Sequence, residues 1–207
     1  MNALQEVWIR PRKVFRELAG TPAGATDYLL AAAQGAASAM VLGRMQGWGL
    51  TEGVGDILFK AVAQGSVMGI AAIWIYAWLY AWLGRHTGGV AGKPQIIHVL
   101  TYGSVPLAAM LAIWCLAALI LGNQAFVDHP IGEPDLFVTL LMGLQTAAYV
   151  LLALWSTILQ VMGLSEMHQV RTGAAFGTWL LGQFVVALAL AVVVLLLVGA
   201  GLGVPKT

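Results

Sequence analysis

Five long apolar runs separated by short polar segments set the pattern of this chain. The runs cover approximately residues 27–43, 61–84, 99–121, 136–162 and 176–202. A helix needs about 20 mostly apolar residues to cross the hydrocarbon core of a bilayer. The runs lack the alternation of β-barrel strands, and a helix satisfies its own backbone hydrogen bonds in lipid. The pattern therefore predicts an all-α integral membrane protein with a bundle of five transmembrane helices.

The composition indicates the same class. The 207 residues are 60% hydrophobic and only 9% charged, whereas soluble domains carry about 25% charged residues. The net charge of +1 gives no reason to expect nucleic-acid binding. The single cysteine, Cys115, lies inside an apolar run, and we interpret it as a packing residue because a zinc site needs several ligands. Membrane lipids are the expected surroundings of the chain.

The N-terminal segment, residues 1–26, predicts a short amphipathic helix on the membrane surface. Pro11 suits the first helical position, and Val14, Phe15 and Leu18 fall on one face at helical spacing. Each basic side chain facing anionic headgroups contributes about 1 kcal/mol; the candidates are Arg10, Arg12, Lys13 and Arg16. The segment lacks the apolar core of a signal peptide, so we expect it to stay uncleaved. We interpret it as an interfacial anchor, with a docking surface for a protein partner as the alternative.

The distribution of Lys and Arg predicts a cytoplasmic N-terminus and an outside C-terminus. With the N-terminus inside, the cytoplasmic side holds seven basic residues: Arg10, Arg12, Lys13, Arg16, Arg85, Lys93 and Arg171. The other side holds three: Arg44, Lys60 and Lys206. Residues 27–202 then form the transmembrane domain and residues 203–207 an outside tail. We expect a multi-pass protein of a bacterial inner membrane.

Two pairs of glycines at i, i+4 spacing predict close helix packing. They are Gly65 with Gly69 and Gly173 with Gly177. Small residues at this spacing allow two helix backbones to approach closely. We predict tight contacts within one bundle, with homo-oligomerisation as the alternative.

The segment GLSEMHQVRTG, residues 163–173, concentrates polar residues between two apolar runs. Glu166 and His168 diverge by about 200° on a helix, so they do not share a face. A metal site would also need His86 and His98, and no HExxH or CxxC spacing supports one. No GxSxG motif and no P-loop occurs either. We predict no enzyme activity, no metal and no cofactor, and interpret the segment as a polar turn between two helices.

Three segments of the chain resemble the Yip1 family of multi-pass membrane proteins in its compact prokaryotic form. They read WIRPRKVF, TGG…GKPQIIHVLTYGSVP and GLSEMHQVRTGAA. The matching positions are Arg10, Pro11, Phe15, Gly88, Gly89, Thr101, Tyr102, Pro106, Gly163, Leu164, Glu166 and Arg171. The resemblance implies a five-span helical bundle without catalytic residues, so these positions are structural or interaction candidates. Eukaryotic relatives are tied to membrane trafficking and to Rab-type GTPases. They carry a long cytosolic N-terminal region, so we do not transfer GTPase binding to this chain.

Two classes of function follow as expectations, beside a third hypothesis, an intramembrane metalloenzyme built on Glu166 and the histidines. The first is a non-enzymatic scaffold or adaptor that binds a membrane or cytoplasmic protein. Its interaction candidates are Arg10, Arg12, Lys13, Phe15, Arg16, Tyr102, Pro106, Glu166 and Arg171. We predict that Glu166 pairs with Arg171 or with a basic residue of the N-terminal helix. The alternative is a transporter, channel or lipid-handling protein; the middles of the predicted spans lack ionisable residues, which counts against ion coupling.

Overall fold

The computed structural model describes residues 2–132 and 135–199, and in these ranges it contains helices and turns but no strand. The helices are α1 Ala3–Glu6, α2 Pro11–Leu18, α3 Ala25–Met45, α4 Val54–His86, α5 Lys93–Gly103, α6 Val105–Leu121, α7 Leu136–His168 and α8 Thr172–Gly199. Short 3-10 turns occupy Trp48–Leu50 and Gly122–Phe126. The predicted all-α fold is confirmed. The predicted tail 203–207, Lys206 and the end of the last predicted span lie outside the described residues.

Four helical segments are long and apolar enough to cross a membrane. They are Val54–His86, Lys93–Phe126, Leu136–His168 and Thr172–Leu196. They contain the second, third and fourth predicted spans and most of the fifth. The first predicted span lies in α3, a helix of 21 residues rich in alanine and glycine, but α3 is not among the four. The five-span count and the orientation therefore remain predictions.

Helices α3 and α4 are in close contact through glycines. A Cβ atom on Gly35 would overlap backbone atoms of Gly65 and Gly69, and one on Gly69 would overlap Ala31. Gly65 and Gly69 thus lie where the backbones of α3 and α4 meet. Within the described part of the chain, by contrast, nothing lies within 4 Å of a Cβ on Gly173 or Gly177. The tight packing predicted for this second pair is not found, because the start of α8 has open space beside it.

The third predicted span is divided at its start. Helix α5 ends at Gly103 and α6 begins at Val105, with Pro106 in the first turn of α6. A proline lacks the N–H that would continue the helical hydrogen bonds of α5. Tyr102 is only 7% exposed and Pro106 is buried. These two interaction candidates therefore pack inside the bundle and offer no surface to a partner.

Cys115 also differs from its expected position. Its side chain is exposed on the outside of the helix bundle. The packing role predicted for it is wrong, because an apolar run in a membrane helix includes positions that face lipid as well as positions that face protein.

Candidate interaction surface at the N-terminal end of the bundle

Three polar segments distant in sequence meet at one end of the bundle, which we call the N-terminal end. They are the N-terminal helices α1 and α2, the loop 87–92 and the turn 169–171. The side chain of Arg12 contacts Glu166 at 2.6 Å, and the backbone N–H of Val90 donates to the carbonyl of His168 at 3.3 Å. The side chain of Gln95 donates to the carbonyl of Ala19 at 3.1 Å.

The apolar face of α2 packs on protein. Val14 is 1% exposed and Phe15 is fully buried, together with Val7 from the turn that precedes α2. A Cβ on Gly163 would lie 2.9 Å from Phe15 Cζ, so the glycine gives the aromatic ring its space. Full burial of such a side chain stabilises by about 1.5–3 kcal/mol. The face predicted to enter the membrane interface is instead part of the bundle core, and Phe15 is not free to contact a partner.

Glu166 holds the basic face of α2. Its carboxylate accepts a hydrogen bond from Arg12 Nη1 at 2.6 Å and lies 3.3 Å from Arg16 Nε. Arg12 Nη2 also donates to the hydroxyl of Thr172 at 3.2 Å. Of the partners expected for Glu166, the structure pairs it with the N-terminal helix rather than with Arg171. The arginines are largely exposed, so each ion pair contributes about 0–1 kcal/mol, but their geometry fixes the rotation of α2.

Helix α1 is joined to α2 by a separate ion pair. Lys13 Nζ lies 3.0 Å from Glu6 Oε2 and 3.6 Å from Glu17 Oε1. The hydrogen bond from Lys13 holds the pKa of the Glu6 carboxyl below its usual value. Lys13 is therefore already engaged by acidic groups of its own segment.

The side chain of His168 needs the space left by two glycines, Gly84 in α4 and Gly89 in the loop 87–92. Its ring is 1% exposed, and Nδ1 accepts the backbone N–H of Ala91 at 3.3 Å. A Cβ on Gly84 or Gly89 would overlap the ring atoms. The ring therefore fills a slot whose walls are two glycines. Helix α7 ends at His168, and its C-cap residue Gln169 has a left-handed backbone with φ of 56°.

This slot predicts an unusual result for Gly84→Ala. Alanine normally stabilises a helix interior by about 1 kcal/mol relative to glycine. Here the new methyl group would displace a buried ring that Gly89 confines from the other side, and such overpacking costs about 1–3 kcal/mol. We expect Gly84→Ala to lower the free energy of unfolding by up to about 2 kcal/mol, measured by denaturant titration in detergent.

Gly55→Ala in the same helix is the matched control. Nothing lies within 4 Å of a Cβ at Gly55. This variant should be neutral or slightly stabilising. A Gly84→Ala protein as stable as the control would show that the His168 ring is not confined as described.

A buried polar cluster anchors the start of α3 to α5. Asp27 is 3% exposed, His98 2% and Thr101 1%. Asp27 Oδ1 lies 2.9 Å from His98 Nδ1 and accepts the Thr101 hydroxyl at 2.7 Å, while Oδ2 accepts the backbone N–H of Gly24 at 2.9 Å. The second ring nitrogen of His98 lies 3.1 Å from the carbonyl oxygen of Thr21. Both ring nitrogens thus face oxygen acceptors, an arrangement that suits an imidazolium paired with a carboxylate.

The sequence predicted no such cluster. The i, i+3 spacing of His98 and Thr101 places both on one face of α5, but 71 residues separate His98 from Asp27. No local spacing relates the carboxylate to the imidazole. Asp27 was expected only as the start of the first span.

The four residues considered as metal ligands lie in separate surroundings. Glu166 binds arginines, His98 pairs with Asp27, and His168 lies in the glycine slot. His86 is exposed and its Nδ1 lies 2.9 Å from the carbonyl of Trp82. Among the residues that the structure describes, no group of three or more His, Cys, Asp or Glu could hold a metal ion.

A cavity of about 910 Å³ lies within the bundle, between α3, α4, α6, α7 and α8. Its lining combines apolar side chains with five glutamines: Gln34, Gln46, Gln64, Gln160 and Gln183. Gln160 donates to the Ser104 hydroxyl at 2.8 Å and accepts the Trp179 indole N–H at 3.0 Å. These glutamines lie on or next to α3, α4, α7 and α8, so polar groups are distributed around the cavity among apolar side chains. The sequence predicted no such cavity.

A model of the Yip1 domain matches residues 6–202. The match spans nearly the whole chain and includes α2, the loop 87–92 and the turn 169–171, which meet at the N-terminal end. No curated protein and no solved structure matches significantly.

Proposed function

The chain belongs to the Yip1 domain family of multi-pass membrane proteins, and we propose that it acts as a non-enzymatic scaffold or adaptor for a protein partner. The proposal rests on one observation, that α2 is held in one position on the bundle. Burial of Phe15 and the two ion pairs of Glu166 hold this basic helix on the bundle. A surface held in one position loses little conformational entropy when a partner binds.

Basic side chains that take no part in holding α2 supply the surface for a partner. Arg10, Lys93 and Arg171 are exposed and form no ion pair within the described residues. Two apolar side chains at the same end, Ile9 and Val90, are 73% and 67% exposed. We call these five residues the basic surface. It suits an acidic partner, and in the proposed orientation it faces the cytoplasm of a bacterial cell, beside the anionic headgroups of the inner membrane.

The test is extraction from native membranes into lipid nanodiscs, followed by mass spectrometry of proteins, lipids and metals. We expect a stoichiometric protein partner with the unaltered chain. Reversing three charges together, Arg10→Glu, Lys93→Glu and Arg171→Glu, should weaken its binding at least tenfold, because like charges then meet across the interface. The stability of the bundle should change little, since these side chains are exposed and unpaired in the described structure.

The charge-preserving variant Arg10→Lys with Arg171→Lys is the control and should retain the partner. A partner held equally by the charge-reversed protein would contradict the proposed surface. Absence of any stoichiometric partner would contradict the scaffold itself. Stoichiometric metal would favour a metalloenzyme built on Glu166 and His168, against the separate surroundings of these residues.

The cavity supports a second candidate, a lipid-handling or transport protein. Its volume of about 910 Å³ and its mixed lining of glutamines and apolar side chains suit a polar headgroup with an apolar chain. A lone protein that carries a specific lipid out of the membrane would favour this candidate. Lipid flux in liposomes, compared between the unaltered chain and Gln64→Leu, would then decide it.

A further inference from the structure

A second, smaller cavity lies at the end of the bundle opposite the basic surface. Its volume is about 190 Å³, and it is bounded by α3, α6, α7 and the segment that follows α6. The polar groups in its wall belong to Arg44, Trp114, Asp128, Gln145, Thr146 and Tyr149. None of them takes part in the basic surface or in the cluster around His98.

Two buried hydrogen-bond donors without acceptors line this cavity. Trp114 is 2% exposed and Gln145 is 5% exposed, yet neither the indole N–H nor the side-chain amide N–H of these residues has a partner among the described residues. Buried polar atoms are nearly always paired in folded proteins, because an unpaired one loses the hydrogen bonds that water gave it. Two such donors lining one cavity indicate a missing acceptor.

Arg44 adds a charged donor to the same cavity. Its Nη1 donates to Thr146 Oγ1 at 3.2 Å and lies 3.5 Å from Gln145 Oε1. The contact turns the amide oxygen of Gln145 toward the guanidinium and leaves the amide N–H groups for another acceptor. Among the described residues, the nearest carboxylate is that of Asp128, which lies 3.9 Å from Arg44 Nε and whose side chain is 59% exposed. The side chain of Arg44 is only 16% exposed, and this long contact is its single ion pair within the described residues.

We propose that this cavity, which we call the anion site, binds a phosphate group through Arg44, Trp114 and Gln145. A guanidinium matches the oxygens of phosphate with several N–H groups, and charge-assisted hydrogen bonds are the strong ones. The indole and the amide add two neutral donors at other points of the wall. A phosphate offers enough oxygens to accept from all three side chains.

The depth of the site agrees with a lipid phosphate as the source. Helix α7 has 33 residues and is about 50 Å long, whereas the hydrocarbon core is about 30 Å thick. With α7 centred, about 10 Å of helix extends beyond each boundary of the core. Gln145 lies about 14 Å along α7 from Leu136, so it falls within about 4 Å of that boundary. A phosphodiester at the headgroup level can reach this depth, and free phosphate can enter from the aqueous side.

The site is tested with delipidated protein in detergent. The indole N–H signal of Trp114, identified by its loss in Trp114→Phe, is followed in nuclear magnetic resonance spectra. The three ligands are short-chain phosphatidylglycerol, inorganic phosphate and a short-chain diacylglycerol that lacks phosphate. We expect the signal to move with phosphatidylglycerol and to stay with diacylglycerol. Movement with inorganic phosphate as well would identify free phosphate as a further source.

Variants separate the anion site from general lipid contact. Arg44→Gln should weaken binding about tenfold or more, measured by native mass spectrometry, because it removes the charge-assisted donor. Trp114→Phe retains a ring against Phe126 and should weaken binding by a smaller factor. Asp128→Asn should tighten it. Lys60→Gln is the control, because Lys60 is another basic residue at this end and pairs with Glu52 at 2.8 Å.

Two results would overturn the proposal. One is an indole signal that does not move with either phosphate-bearing ligand, or that moves equally with diacylglycerol. The other is equal affinity for phosphatidylglycerol in the unaltered protein, Arg44→Gln and Trp114→Phe. Neither result depends on whether the basic surface binds a protein.

Discussion

Asp27→Asn is expected to lower the free energy of unfolding by about 3 kcal/mol. The substitution keeps the shape of the side chain but removes the negative charge that faces His98 at 2.9 Å. Both partners are almost fully buried, so solvent cannot replace the lost carboxylate. Removing one member of a buried pair costs about 3–5 kcal/mol, because the other is left uncompensated. Denaturant titration in detergent, followed by circular dichroism, measures the loss.

The matched control is Asp56→Asn. Asp56 is exposed in the first turn of α4, where a carboxylate interacts with the helix dipole for about 0.3–1 kcal/mol. A double-mutant cycle with His98→Gln isolates the pairwise energy of Asp27 and His98. The charged pair would be contradicted if the stability losses of the two single variants simply added in the double variant. It would also be contradicted if Asp27→Asn lost no more stability than the control.

The sequence predicted the helices well because long apolar runs have few alternatives in a bilayer. The predicted span 136–162 lies within α7, and Pro106 falls in the first turn of the helix after a real break. The sequence signal for the first membrane span is weaker. Its alanines and glycines form α3, but the same small residues make it less apolar than the other four segments. Helix formation and membrane crossing are separate properties, and the sequence of α3 supports the first more strongly.

The candidate site was predictable in kind but not in detail. Topology placed the segments of Arg12 and Glu166 on one side, and the expected pairing of Glu166 with the N-terminal helix follows from that. The packing of Phe15 inside the bundle could not be predicted from the sequence, because an apolar helix face can pack on lipid or on protein with the same sequence pattern. The slot around His168 was beyond prediction too, since it joins Gly84 and Gly89 to a ring some 80 residues away in sequence. Contacts of this range are set by packing, which periodicity does not encode.

Gly35→Ala is expected to destabilise the protein by about 2–4 kcal/mol, through a backbone contact rather than a side-chain contact. A Cβ on Gly35 would overlap the carbonyl oxygen of Gly65 and approach Gly69 Cα at 2.7 Å. Backbone atoms of a membrane helix cannot turn aside as a flexible side chain can, so α3 and α4 must separate. The separation forfeits dispersion contacts along both helices, which outweighs the gain of about 1 kcal/mol from alanine's helix propensity.

Gly143→Ala in α7 is the control for Gly35→Ala, because nothing lies within 4 Å of a Cβ there and only the propensity gain should appear. Gly35, Gly65 and Gly69 also line the large cavity, so a separation of α3 and α4 would change this cavity as well. We therefore expect Gly35→Ala both to lower the midpoint of thermal unfolding and to slow disulfide formation between cysteines introduced at Ala31 and Ile70. A variant as stable as Gly143→Ala, with unchanged cross-linking, would mean that α3 and α4 are not in backbone contact. A lower midpoint with unchanged cross-linking would mean that the strain is relieved within α3 itself. This result would contradict the separation of α3 from α4 but not their backbone contact.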